Sequence, residues 1–303
     1  MGVIPPLASP RPPLDWLGPL TPVRCQVLRS EPAVQRLRAL LMICAGLCLP
    51  VAASATETVR ISGTGSGVGG MKLLGDAFMA ANPDVKVDVL PAPGSSGGIS
   101  ALIAGALEVA VSNRPPNDKE TAQARLTVSE YARTAFVIAV HRNVGVTALS
   151  AAELAALYAD GPAKFPNGAR ARPVLRLTDA TDTRLLKSFG PEVATAVELA
   201  SKRRGLLNAD TDSEAADMIE KVSGAFGGST LAQIASERRP LVALVIADKA
   251  PTHANLASDL YPQYKSLFLI ASASPSPATR RFIAYVGSAA AQALLSAHGH
   301  LPR

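Results

Sequence analysis

Beyond residue 55, apolar positions recur with two different periods, and the two periods alternate along the chain. Thr58 to Ile61 reads as a short strand. After it, Val68, Met71, Leu74, Phe78 and Ala81 fall three or four apart, the spacing of one helix face. The alternation continues with a strand from Val85 to Leu90, a helix from Gly97 to Ala106 and a strand from Val109 to Ser112. Strands and helices in turn predict an α/β fold whose strand-to-helix loops gather at one sheet edge, where ligands of such sheets bind.

A second block opens with the buried-strand run Phe136 to Val140, and Ser150 with Glu153 reads as the capping box of a helix. Turns at Asp160-Gly161-Pro162 and Pro166-Asn167-Gly168 precede a strand from Pro173 to Leu177. A polar loop, Thr178 to Thr183, leads into a helix carrying Leu185, Leu186 and Phe189. Strands are expected again at Leu241 to Ile246 and Ser266 to Ala271. A helix from Pro275 and another from Ala289 to His298-Gly299 close the chain.

The first 55 residues lack this patterning. Eight prolines lie between Pro5 and Pro32, and then Arg36 and Arg38 precede the apolar run Ala39 to Leu49 and the small residues Ala53-Ser54-Ala55. This is the layout of a secretory signal, about residues 34–55, cut after Ala55. The run is too short for a membrane span and contains Gly46. Periplasmic export is therefore expected. All three cysteines (Cys25, Cys44, Cys48) lie in the leader, so cysteine catalysis and thiolate metal sites are not expected in the mature chain. The leader also carries five of the 30 basic and two of the 24 acidic residues, leaving a mature charge of +3. That excess suits a small anionic ligand and is too scattered for nucleic acid.

The candidate chemistry lies in two glycine-rich loops, each ahead of a helix: Gly63-Thr64-Gly65-Ser66-Gly67-Val68-Gly69-Gly70 and Gly94-Ser95-Ser96-Gly97-Gly98. Bare N–H groups and the helix dipole make such a terminus a cradle for anions. Gly65 to Gly70 also satisfies the dinucleotide pattern G-x-G-x-x-G, with Asp88 near the end of the next strand, so an NAD(P)-binding oxidoreductase is the rival reading. The export signal and the repeated loop weigh against it. None of His141, His253, His298 and His300 sits in a hydrolase motif, and His298 and His300 read as surface or terminal capping residues. No catalytic residue, metal site or cofactor is expected.

Taken in order, these stretches resemble the phosphate-binding, periplasmic solute-binding proteins of ABC transporters. The matching segments are Gly63 to Gly67, Asn82-Pro83 with Val85 to Val89, Gly94 to Gly98, and Ala104 to Ala110 running into Ser112-Asn113-Arg114-Pro115. Further on they are Leu149-Ser150 to Tyr158-Ala159-Asp160-Gly161, Pro275 to Ala278, and Gln292 to Pro302. The resemblance implies the two-lobed type II periplasmic-binding-protein fold, each lobe a mixed, mostly parallel sheet flanked by helices. The lobes would be residues 56–135 plus 250–303 and residues 136–249, closing about a hinge on a small anion, phosphate or a related oxyanion. A monomer partnered by an ABC transporter permease is expected; some relatives of this fold act instead as sensors or scavengers.

Carried over by position, with the readings above, the ligand residues would be Gly65, Ser66, Gly67, Ser95, Ser96, Asn113, Arg114, Arg176, Thr181, Asp182 and Thr183. The chain departs from the phosphate pattern at three places. Gly67-Val68 stands for Thr-Phe, Asn113 for Asp, and Thr181-Asp182-Thr183 for Ser-Gly-Thr. An amide at position 113 can donate where a carboxylate only accepts, which predicts poor discrimination against sulfate. Asp179 and Asp182 would repel a dianion unless paired, for instance with Arg176 or Arg184. Arg114 would hold the ligand or pair across the two lobes.

Overall fold

The computed structural model describes residues 56–159 and 161–303, so the signal-peptide reading and Asp160 of the first turn lie outside the described residues. The first strand–helix alternation is as the periods predict. β1 (Glu57–Gly63) runs into α1 (Gly65–Ala81), β2 (Val85–Val89) into α2 (Gly94–Ile103), and β3 (Val109–Ser112) follows. β1 lies between β2 and β3 and parallel to both, with Ile61 opposite Val89 and Val109. Both helices start before their apolar periodicity does, α1 three residues ahead of Val68 and α2 five ahead of Ile99, because glycines and serines fill their first turns.

The expected strand Phe136 to Val140 is one end of a 16-residue strand, β4 (Leu126–His141). Its first part pairs antiparallel with β11 (Tyr264–Ser272), Ala132 opposite Leu267 and Ala135 opposite Tyr264. From Phe136 it pairs instead with β8 (Ala225–Thr230) and β9 (Leu241–Ala243). β6 (Arg172–Arg176) lies parallel to β8, with β7 (Leu207–Ala209) beyond it. The strand path is thus β2-β1-β3-β11-β4-β8-β6-β7, parallel towards its ends and antiparallel in the middle. β4 is the strand shared by the two halves. The run Leu241 to Ile246 proves to be two strands, since β10 (Val245–Ile246) leaves β9 to pair with β5 (Ala148–Leu149).

Helices cover both halves: α3 (Asp118–Gln123), α4 (Ala151–Leu157), α5 (Thr181–Lys187), α6 (Pro191–Ser201), α7 (Asp212–Lys221), α8 (Leu231–Ser236), α9 (His253–Ala257), α10 (Pro277–Val286) and α11 (Ala289–Ala297). The capping box before α4 forms as its sequence predicts, Ser150 Oγ accepting from Glu153 N–H and Glu153 Oε2 from Ser150 N–H. The expected polar loop is shorter than its composition suggests, because Thr181 to Thr183 already belong to α5. No helix among the described residues is long and apolar enough to cross a membrane.

Each half has its own apolar core. In the first, α1 buries Met71, Leu74 and Phe78 against Val59, Ile61 and α10, where Phe282 meets Phe78 edge-on at 5.4 Å. In the second, Phe136, Ile138 and Val140 pack with Phe226, onto which Tyr158 and Phe165 set their edges. Burial of this apolar surface is the main term holding each half.

The C-terminus is part of the first half. β12 (Leu301–Pro302) pairs with β4, Leu301 opposite Arg133, and carries His300 beneath α1. The surface reading of His300 is wrong: it is wholly buried, and a Cβ added at Gly70 would stand 2.8 Å from its Cε1. His298 is half-buried, with Nδ1 2.9 Å from the Leu294 carbonyl. His300 Nδ1 lies 3.0 Å from the His298 carbonyl and Nε2 has no partner, so the neutral ring with its proton on Nδ1 is the form that suits the site. Burial pushes its pKa down from 6.5 to about 4.

An unfolded chain therefore takes up a proton at this ring as pH falls below its ordinary value, while the native chain does not until near the lowered one. Stability is lost as pH falls through that window, by at most about 3 kcal/mol for this group. Urea unfolding of the wild type and His300→Asn at pH 7 and pH 4.5 should show a steeper acid loss in the wild type. Equal losses would contradict the buried neutral ring.

Candidate functional site

The glycines of the first loop are covered by protein on every side that matters. A Cβ at Gly65 would stand 2.6 Å from Ser213 Oγ and 2.9 Å from Asp212 Cβ; at Gly67, 2.5 Å from Val111 Cγ1; at Gly69, 2.9 Å from Glu237 Cγ. These separations are too short for any side chain, so glycine lets α1 lie directly on β3 and on the ends of α7 and α8. The dinucleotide reading fails here, because a pyrophosphate would need the space that Asp212 and Ser213 occupy.

An anion does sit at the N-terminus of α1, and it is the chain's own. Asp212 begins α7, capped by Thr211, and its carboxylate crosses from the second half to the first. Oδ2 accepts from Thr64 Oγ1 at 2.8 Å, Ser66 Oγ at 2.5 Å and Ser66 N–H at 3.2 Å. Oδ1 accepts from Arg176 Nη1 at 2.8 Å and Lys265 Nζ at 3.2 Å. Five donors on one carboxylate between two helix N-termini form a setting fit for an oxyanion.

Lys265 completes the cluster. The period-two pattern of β11 places it on the inward face with Leu267 and Leu269, and it is fully buried. Its ammonium donates to Ser66 Oγ at 3.2 Å, to Asp212 and to Asp182 Oδ1, and lies 5.8 Å from the centre of the Phe136 ring. Asp182, in the first turn of α5, also meets Arg176 Nη1 at 3.1 Å. Burial disfavours the charge on Lys265, yet Asp182 and Asp212 raise its pKa above the ordinary lysine value. Asp212 also works against burial, and Lys265 and Arg176 hold it far below the usual carboxylate range. Asp182 goes the other way, pushed up by burial and by its neighbour Asp212 despite Lys265.

Beside this cluster a cavity of about 440 Å³ opens between the two halves. Of the expected ligand residues, Ser95, Ser96, Asn113, Arg114, Arg176, Thr181 and Asp182 line it. Gly65, Ser66, Gly67 and Thr183 do not: the first three are buried under the contacts above, and Thr183 Oγ1 turns to the Leu177 carbonyl at 2.7 Å. Three arginines (Arg114, Arg176, Arg184) face four acids (Asp179, Asp182, Asp210, Asp212) around it. The second glycine loop keeps its helix terminus open. α2 has Pro93 at its N-cap and no side-chain cap, and Gly94, Ser95 and Ser96 line the cavity with N–H groups that have no intrahelical partner. Ser95 Oγ accepts from Asn113 N–H and Ser96 Oγ from Arg114 Nη2, which leaves both hydroxyl protons to donate.

Two side chains behave differently from expectation. Asn113 Nδ2 donates to Thr64 Oγ1 at 2.8 Å, and because the Thr64 hydroxyl proton is spent on Asp212, the amide cannot be reversed. Its unpartnered atom is the buried acceptor Oδ1 and one of its two amide protons is spent on Thr64, so position 113 combines an acceptor like that of an Asp with a single remaining amide donor. Arg114 makes a two-point pair with Glu120 of α3 at 2.7 and 2.8 Å. Its partner lies in its own half, so it forms no pair across the cleft.

Sequence reasoning missed Thr64, Lys265, Asp210 and Asp212. A lysine at the inward position of an apolar strand was a readable signal for Lys265. Thr211 with Glu214 marks a helix start, but nothing local tells that Asp212 reaches a loop 146 residues away.

Lys265→Met should leave Asp182 and Asp212 with Arg176 as their only full countercharge and cost about 3–5 kcal/mol at neutral pH. The loss should shrink in acid, since Asp182 has a raised pKa and takes up its proton first. Chemical denaturation at pH 7 and pH 4.5 checks this, and a cost that does not change with pH would refute it.

Residues 50–290 match the family model described as a PBP superfamily domain. Among curated protein sequences none matches the chain. Among solved structures, one described as a phosphate ABC transporter substrate-binding protein with bound phosphate, from Clostridium perfringens, aligns over 82% of this chain and 100% of its own, at 17% identity and a TM-score of 0.65. A molybdate-binding periplasmic protein of Azotobacter vinelandii aligns over 80% and 98%, at 14% identity and a TM-score of 0.57. An ABC-type phosphate transport receptor of Vibrio cholerae aligns over 81% and 99%, at 20% identity and 0.52. The strand path, the cavity between the halves and the family match over most of the chain agree: this protein belongs to the periplasmic-binding-protein (PBP) superfamily.

Proposed function

We propose that the protein is an exported solute-binding protein that captures a small oxyanion between two lobes, residues 56–135 with 250–303 and residues 136–249, for delivery to an ABC transporter permease. The observation that carries this reading is the open terminus of α2. There, uncapped N–H groups and the Ser95 and Ser96 hydroxyls, with Arg114 beside them, face Arg176 across a cavity of about 440 Å³. Phosphate is the leading candidate. Two of the similar structures carry phosphate in their descriptions, and Asn113 Oδ1 is an acceptor that suits an oxyanion still holding a proton. A fully deprotonated sulfate or molybdate would set lone pair against lone pair there. Asp179 and Asp210 on the second-half wall favour a second reading, a ligand bearing an amine beside its anionic group.

Calorimetric titration of residues 56–303 with phosphate, sulfate, molybdate and a panel of amino acids tests both, with native mass spectrometry to find any solute retained on purification. Phosphate should bind, with sulfate and molybdate at least about tenfold weaker, and Asn113→Leu should narrow that gap. Heat from amino acids alone supports the second reading. Silence towards every oxyanion refutes the first.

A further inference from the structure

We infer that Asp212 is a tethered anion that latches the solute-free protein shut and competes with the incoming oxyanion; this rests on the solute-binding reading above. The contacts divide cleanly by half. Asp212 belongs to α7 of the second half, whereas Thr64, Ser66 and Lys265 belong to the loop before α1, to α1 itself and to the β3-facing strand β11 of the first. Four of the five hydrogen bonds on this carboxylate therefore cross between halves and tie one to the other.

The competition follows from shared donors. Thr64 and Arg176 line the cavity from opposite walls and could add to the donors of the α2 terminus, yet both are engaged with Asp212. A solute must take those donors from a carboxylate already held at high effective concentration by its own chain. A bound oxyanion would replace Asp212 as a countercharge to Arg176, the cation of the cluster that lines the cavity. Asp212 thereby lowers the apparent affinity for anions and sets how closed the empty protein is.

The experiment compares the mature wild-type chain with Asp212→Ala and Asp212→Asn by two independent readouts. Calorimetry uses inorganic phosphate as the probe, and small-angle scattering follows the shape of the solute-free protein. Asp212→Ala should bind phosphate at least about tenfold more tightly and should expand when empty; Asp212→Asn, which keeps the size of the side chain, should change both in the same direction to a smaller degree. Asp210→Asn removes one charge from the same wall without touching α1 and should leave the scattering unchanged, separating the latch from general electrostatics. Thr64→Val removes a donor common to both anions, so it should loosen the empty protein without tightening phosphate. Phosphate bound by the wild type as tightly as by Asp212→Ala, or identical scattering of the two empty proteins, would overturn the inference. If no variant binds any oxyanion, the solute reading falls, and the scattering still decides the latch.

Discussion

A lysine with no exposed surface, set in a strand beside Leu267 and Leu269, stays charged only if carboxylates are brought to it, and here they come from two different helices of the other half. Asp182 and Asp212 each lie in the first turn of a helix, so the dipoles of α5 and α7 support their charges while Lys265 and Arg176 balance them. Desolvating four charges is costly, and the cluster is tolerable because each carboxylate meets both cations and Asp212 accepts five hydrogen bonds. The position of α7 against α1, the glycines that permit that approach and the wall of the neighbouring cavity all depend on these charges remaining paired.

The fold was legible wherever one period dominated. β1, α1, β2 and β3 could be placed from apolar spacing alone, and Ser150 with Glu153 announced α4. The first part of β4 was not legible, because Thr127, Ser129, Glu130 and Arg133 dilute its pattern and its start is exposed; what fixes it is pairing with β11, more than a hundred residues later. The site was half legible. Ser95, Ser96, Asn113, Arg114 and Arg176 follow strands or open helices where ligands of α/β sheets collect. Asp212 was hidden, since its role is set by a partner 146 residues away and its neighbours look like any helix start.

The two glycine loops also show how one composition serves two ends. In Gly94-Ser95-Ser96 the backbone stays open to the cavity, whereas from Gly65 to Gly69 the missing side chains are replaced by Val111, Asp212, Ser213 and Glu237. A glycine run before a helix says that something comes close. What comes close, a solute or another helix, is decided by the rest of the chain.

The place of β11 and β12 carries a consequence for how the chain is made. β3 reaches β4 only through β11, and α1 rests on a ring at position 300, so the first half is incomplete until residues 264–300 are available. Until β11 arrives, the early strands lack their central partner, and pairing across so long a separation is slow. Such a topology ties the folding of β1, β2 and β3 to a strand about 150 residues further on, so a fragment that stops short of β11 keeps its first sheet edge unpaired.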